Sequence, residues 1–241
     1  MSRPGRKYKL LITAGPTREP IDPVRYISNN STGTLGYQLA GIARAKGHEV
    51  TLITGPTGLP TPKGIKRVDV ETAVEMERAV VKKFPKSDAL IMSAAVADFR
   101  PVSTASQKIK RSGVGGSLRL LRLELVENPD ILMNVSGIRK PRQAVIGFAL
   151  ETENLLTNAK RKLKTKNLDA IVATQLRPKD KRRGPFGNLP VEGAILQRTG
   201  KEQAFTAIPK KLLAQRILKT AEDILAVRSK EKRIKPNSLV R

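Results

Sequence analysis

The chain has 241 residues, no cysteine, and 46 Lys and Arg against 21 Asp and Glu, for a net charge of +25. The missing cysteines exclude disulfides, thiolate-held zinc and a cysteine nucleophile. No apolar run is long enough to span a bilayer or to open a secretory signal, so a cytoplasmic protein with no membrane partner is expected.

Residues 1–7 and 228–241 read as basic, flexible tails around one domain over 8–227. A buried strand is predicted over 8–13. A long loop rich in Asn, Ser, Thr and Gly follows, and it opens into a helix striped by Leu35, Leu39, Ile42 and Ala43 that ends at Gly47. A strand over 48–54, a Pro/Gly loop over 57–64 and a helix over 72–84 come next. The strand over 88–95 is nearly all apolar, as a strand covered on both faces must be. Residues 102–116 have little to bury and read as a mobile loop. Residues 117–126 alternate Leu with Arg and Glu, the pattern of a strand with one solvated face. Asn128 is placed as the N-cap of a helix with Pro129 at its first position, running to Gly137. A strand over 144–150, a helix over 153–166, a strand over 168–174, a hairpin over 191–208 turning at Thr199-Gly200 and a helix over 209–227 complete the chain. This alternation predicts an α/β fold: a Rossmann-like parallel sheet with helices on both faces and an added antiparallel hairpin near the C-terminus.

Ligands of open α/β sheets bind at the C-terminal ends of the strands, and the most unusual segments all follow strands. They are Ser28-Asn29-Asn30-Ser31-Thr32-Gly33, Ser93-Ala94-Ala95-Val96-Ala97-Asp98, Gln107-Lys108-Ile109-Lys110-Arg111 and Gly147-Phe148-Ala149-Leu150-Glu151-Thr152. The first gathers N–H groups and hydroxyls at a helix N-terminus, which suits an anion. Asp98 can take a cation or a ligand hydroxyl, and Lys108 can close over a phosphate as a point charge. Each also has a plain reading: tight helix–sheet packing at 93–97, a solvated loop at 108–111, a core position for Phe148, and a structural role for His48. There is no P-loop, and Ser31-Thr32-Gly33-Thr34-Leu35-Gly36 only partly echoes a dinucleotide fingerprint, so an NAD(P)-binding oxidoreductase has little behind it. The charge raises a nucleic-acid-binding module as another alternative. Residues 160–183 carry ten Lys and Arg against two Asp, but neither they nor the C-terminal tail interleave aromatics for base stacking, and nucleic acid is not an expected partner.

Read in order, the segment from Thr13-Ala14-Gly15-Pro16-Thr17-Arg18 to Tyr26-Ile27-Ser28-Asn29, then Ala94-Ala95-Val96-Ala97-Asp98-Phe99-Arg100-Pro101, Lys108-Ile109-Lys110, Asn128-Pro129-Asp130-Ile131-Leu132, the segment at Gly147 and Lys166-Asn167-Leu168-Asp169-Ala170 resemble one family. It is the phosphopantothenate–cysteine ligases, the second enzymatic half of the bifunctional bacterial flavoprotein of coenzyme A synthesis, and the resemblance spans about residues 9–226. It implies that the carboxylate of 4'-phosphopantothenate attacks the α-phosphate of a nucleotide with Mg²⁺ and loss of pyrophosphate. The amine of L-cysteine then attacks the acyl-nucleotide and releases the monophosphate. Positioning and charge stabilisation carry such steps, and no protein nucleophile is required.

The resemblance assigns Asn29 to the acyl-nucleotide intermediate, where its amide can donate to a developing oxyanion, and sets Ala95 beside it as a substrate contact. It makes Lys108 the lid lysine that meets the phosphates. Met92, Ser93, Ala94 and Asp98 fall at the nucleotide site, as do Val126, Glu127, Asn128 and Pro129, and Phe148, Lys162 and Lys166. The chain departs from the family pattern at Thr34, where bacterial members often have Lys, and at Thr174, where they usually have Asn. Pro185-Phe186-Gly187-Asn188 replaces the usual Phe-Asn-Ser-Asp-Asn. Thr174 and Gly187 lie on the base-recognition side, so CTP is expected with ATP as the alternative. A homodimer is implied. No flavin decarboxylase half lies upstream, so a stand-alone ligase or a separated fragment is expected, with a separate phosphopantothenoylcysteine decarboxylase as a partner.

Overall fold

In β1 (Lys9–Ala14), Leu10, Ile12 and Ala14 enter one core and Leu11 enters another. Successive strand residues point to opposite faces, so a strand with apolar residues on both faces requires cover on both. The computed structural model describes residues 6–110, 121–176, 187 and 189–234. After β1 come β2 (Arg18–Pro20), β3 (Tyr26–Ser28), α1 (Thr34–Ala45), β4 (Glu49–Thr54), β5 (Lys66–Asp69), α2 (Ala73–Lys83) with a 3-10 turn (Phe84–Lys86), and β6 (Ala89–Met92). The second half runs β7 (Phe99–Pro101), β8 (Leu125–Glu127), α3 (Ile131–Ile138), β9 (Ala144–Glu151), α4 (Leu155–Thr165), β10 (Ala170–Gln175), β11 (Val191–Gln197), β12 (Glu202–Ile208) and α5 (Lys210–Ile234).

The main sheet has eight strands in the order β12-β11-β10-β9-β6-β1-β4-β5. Strands β5, β4, β1, β6, β9 and β10 are parallel, and β11 and β12 add the antiparallel hairpin. The expected Rossmann-like α/β fold is therefore present. Helices α1 and α5 cover the face that holds Leu10 and Ile12, through Leu39, Ala43, Leu213 and Ile217. Helices α2, α3 and α4 cover the other, through Met76, Val80, Val135 and Leu163. The chain builds outward from β1 to β4 and β5, then from β6 to β9 and β10 on the other side, so the strand order reverses between β1 and β6. That reversal leaves a crevice at the strand ends.

Several expectations are corrected. The long loop after β1 contains a small hairpin, β2–β3, and Phe99–Pro101 pairs with Leu125–Glu127 in a second one. β5, an edge strand with one apolar residue, was not foreseen. The strand predicted over 117–126 contracts to β8 among the described residues, with 121–124 outside any strand. Residues 117–120 lie outside the described residues, as do 111–116 of the loop, 177–186 and 188, and the tail segments 1–5 and 235–241. Asn128 does not cap α3. Asp130 does, its Oδ1 accepting from the Met133 N–H at 3.2 Å, because the Asn128 amide donates to the Ala97 carbonyl instead (2.9 Å). Helix α4 begins at Leu155, after Asn154 with φ 50°.

Helix α5 continues to Ile234, past Val227 where the sequence pattern fades. Its extension is anchored by Arg228, which donates to Asp169 Oδ1 at 2.6 Å. Asp169 is 6% exposed and also accepts from the Arg139 guanidinium and from the Val145 N–H (2.8 Å). His48 is structural, as expected. Its Nδ1 accepts from the Tyr8 N–H, so its Nε2 donates to Glu222 at 2.9 Å. Burial alone would raise the Glu222 pKa; the hydrogen bonds from His48 and Lys46 outweigh it and hold the carboxyl below its ordinary value. No helix among the described residues is long and apolar enough to cross a membrane.

Candidate active site

Two clefts of about 410 and 530 Å³ open at the C-terminal ends of β1, β6 and β9, and Ala94, Val96, Asp98, Phe148 and Lys162 line both. The first cleft adds Met92, Glu127, Asn128, Pro129 and Lys166. The second adds Ser93, Ala95 and the loop from Ser28 to Gly36 that leads into α1. The structure thus brings together every predicted site residue except Lys108 and Val126, which line neither cleft.

Hydrogen bonds between the strand-end segments give the crevice its shape. After β6, the Ser93 hydroxyl donates to the Thr13 carbonyl (2.5 Å) and the Ala94 N–H to Thr13 Oγ1 (3.1 Å). The Ala97 N–H donates to Thr17 Oγ1 at 3.0 Å. Asn29 Nδ2 reaches across the second cleft to the Ala95 carbonyl at 3.0 Å. This bond uses one of the two N–H groups of the amide. Asn128 is held between the Ala97 carbonyl and the Arg100 guanidinium, which donates to its Oδ1 at 3.1 Å. Ser93 to Val96 are half-buried and Ala97 is buried, and these residues both pack the strand end and form the cleft wall.

Helix α1 starts beside this wall. Gly33 has φ 78°, which favours glycine, and no side chain caps the helix, so the N–H groups of its first turn face the second cleft without a side-chain acceptor. A Cβ at Gly36 would lie 2.6 Å from Ala14 Cβ and 2.7 Å from Ser93 Oγ. Glycine is what lets this helix end sit directly on the strand ends. Thr34 and Thr174 line the same cleft.

The charged residues differ from expectation. Lys162 is paired with Glu151 at 2.7 Å, and Lys166 with Asp130 at 3.0 Å. Lys108 is exposed on a segment tied to the β2–β3 hairpin: the Ala105 N–H donates to Ile21 O, the Ile109 N–H to Asp22 Oδ2, and the Arg25 guanidinium to Ile109 O. Burial alone would raise the Asp22 pKa. The N–H donors of Val24, Ile109 and Arg25, with the Arg25 guanidinium, outweigh it and hold the carboxyl at about 2. Because this pKa is lowered from 3.8, the tether is fully stabilising above pH 3.8 and is lost as pH falls through about 2. Asp22→Asn should loosen it at neutral pH, with the Ile109 amide exchanging about tenfold faster by hydrogen-exchange NMR. Unchanged exchange would mean that Asp22 does not hold the segment.

Among the described residues no three His, Asp or Glu side chains gather into a metal cage. Mg²⁺ commonly enters on substrate phosphates with one or two carboxylates, and Asp98 and Glu127 supply carboxylates at the first cleft. Sequence reasoning missed Lys210, which lines the second cleft. The available signal was its place just after Pro209, where Lys210-Lys211 puts positive charge at the positive end of a helix.

A mostly parallel sheet with a two-chambered crevice at its strand reversal defines a Rossmann-like α/β protein, an architecture whose ligands generally bind at the switch point. The model of the DNA/pantothenate metabolism flavoprotein C-terminal domain matches residues 6–225, and the chain belongs to that family. It is 47% identical over 168 residues to the coenzyme A biosynthesis bifunctional protein CoaBC of Vibrio cholerae, an alignment covering 70% of this chain and 41% of that protein. The chain therefore spans less than half of that relative's length in the alignment. The crystal structure of the C-terminal domain of a CoaBC protein superposes with a TM-score of 0.76 at 34% identity, covering 94% of this chain and all of that one. A variant of Cab2 in complex with phosphopantothenate-cysteine shares the fold, with a TM-score of 0.67 at 17% identity over 93% of this chain and 89% of that one.

Proposed function

We propose that the chain joins 4'-phosphopantothenate and L-cysteine, activating the carboxylate as an acyl-nucleotide with release of pyrophosphate. The observation that carries this reading is the pair of adjoining clefts with a common wall at Asp98 and Phe148. Two substrates held on either side of it present their reacting ends to each other, which makes a bimolecular step effectively unimolecular. The second N–H of Asn29 donates to the acyl oxygen as it gains charge. Asp98 and Glu127 are the carboxylates that would hold Mg²⁺, which when bound would supply positive charge to offset that of the departing pyrophosphate. CTP is the expected nucleotide and ATP the alternative, with Thr174 at the cleft wall as the residue to alter in choosing between them.

The reading extends to a cytoplasmic homodimer. Its support is an exposed apolar surface on the two small hairpins, where Tyr26, Phe99, Leu125 and Val126 face outward beside Val24 and Val102. Sedimentation velocity should give twice the monomer mass, and a monomer at all concentrations would remove this part. The reaction itself is tested by incubating the chain with phosphopantothenate, cysteine, Mg²⁺ and CTP or ATP. A product with the mass of phosphopantothenoylcysteine is expected, and its absence with both nucleotides contradicts the proposal.

A further inference from the structure

Among the described residues, Lys162, Lys166 and Lys210 are the lysines that line the two clefts. The first two are neutralised by Glu151 and Asp130. Lys210 is not. It is 7% exposed, its ammonium donates to the backbone carbonyl of Gly187 at 2.5 Å, and no carboxylate among the described residues pairs with it. It is also the first residue of α5, whose first turn holds no acidic residue. Desolvation and the helix dipole both oppose a positive charge there, and burial pushes its pKa down to about 8. Across the same cleft lies the N-terminal turn of α1, which has no side-chain cap. Two helix N-termini and a buried ammonium thus border one space with positive potential, and Asp98 at its rim pairs with none of them.

We infer that Lys210 is a substrate-binding residue of the second cleft, its ammonium taking phosphoryl oxygens held between the N-termini of α1 and α5. This rests on the function proposed above and adds a residue to it. A nucleotide polyphosphate and the phosphate ester of phosphopantothenate share that chemistry. A bound phosphoryl group supplies the negative charge that the folded chain withholds from Lys210, while Lys162 and Lys166 already have theirs.

The test is calorimetric titration of the full chain with inorganic pyrophosphate, CTP, ATP and phosphopantothenate, together with thermal unfolding without ligand. Lys210→Met should weaken phosphoryl binding about 10- to 100-fold, as for loss of a charge-assisted hydrogen bond. Lys210→Gln should show the same loss, and Lys210→Arg should retain most of the affinity. The Tm of Lys210→Met should equal or exceed that of the wild type, because an apolar side chain replaces a buried unpaired charge. A loss seen with pyrophosphate and nucleotide assigns Lys210 to the polyphosphate, and a loss confined to phosphopantothenate assigns it to the ester. Wild-type affinity for every ligand in both neutral variants, or a lowered Tm with affinity intact, overturns the inference and makes Lys210 structural. A wild-type chain that binds none of the four overturns the proposed function itself.

Discussion

Asn29→Ala is expected to lower kcat by about 10²- to 10³-fold, the usual cost of removing one oxyanion donor, while the fold persists. The side chain is exposed and makes one neutral hydrogen bond, to the Ala95 carbonyl at 3.0 Å, so its loss costs about 1 kcal/mol of stability at most. That bond orients the amide, and the proposed reaction uses its remaining N–H as a donor to the acyl oxygen. Steady-state kinetics separate the two roles. If Asn29 only ties the loop to the segment after β6, KM rises and kcat holds; if it donates in the transition state, kcat falls and KM moves little. Turnover within about threefold of the wild type would remove the assignment.

Asp169→Ala should be the most destabilising single change outside the clefts. The carboxylate is buried and accepts from Arg139, Arg228 and the Val145 N–H. Removing it leaves two guanidinium groups without their common anion and a β9 amide without its acceptor. Breaking one partner of a buried ion pair typically costs about 3–5 kcal/mol, which for a chain of this size lowers Tm by about 10 °C. Differential scanning calorimetry measures it directly. The change should also free the end of α5, since Arg228 holds it to the sheet through this carboxylate, and exchange of amides after Val227 should rise. A Tm within about 2 °C of the wild type would mean that the knot contributes little.

The sheet was legible because β1, β4, β6, β9 and β10 each hold a mainly apolar run and the chain between them carries amphipathic helices. The same logic hid β2, β3, β5, β7 and β8. Each has three or four residues, several carry Pro or Arg, and their mostly exposed or half-buried side chains leave no periodicity to read. The α3 cap was misplaced because Asn and Asp cap equally well. Only the Ala97 carbonyl, brought close by the turn after β6, decides that Asn128 is used elsewhere.

Most of the crevice followed from the rule that ligands lie beyond the strand ends, which is a property of topology. Lys108 did not follow, because its position depends on the tether from Asp22 and Arg25. Lys210 was invisible for another reason. It is one of 46 basic residues, and burial without a carboxylate partner among the described residues is what sets it apart.

Pyrophosphate release by the purified chain, with CTP and ATP in parallel and phosphopantothenate present or absent, is the most direct measurement. The expected result is release that requires phosphopantothenate, stops near one equivalent per site without cysteine, and turns over when cysteine is added. Release independent of phosphopantothenate, or none with either nucleotide, would contradict the proposed ligase.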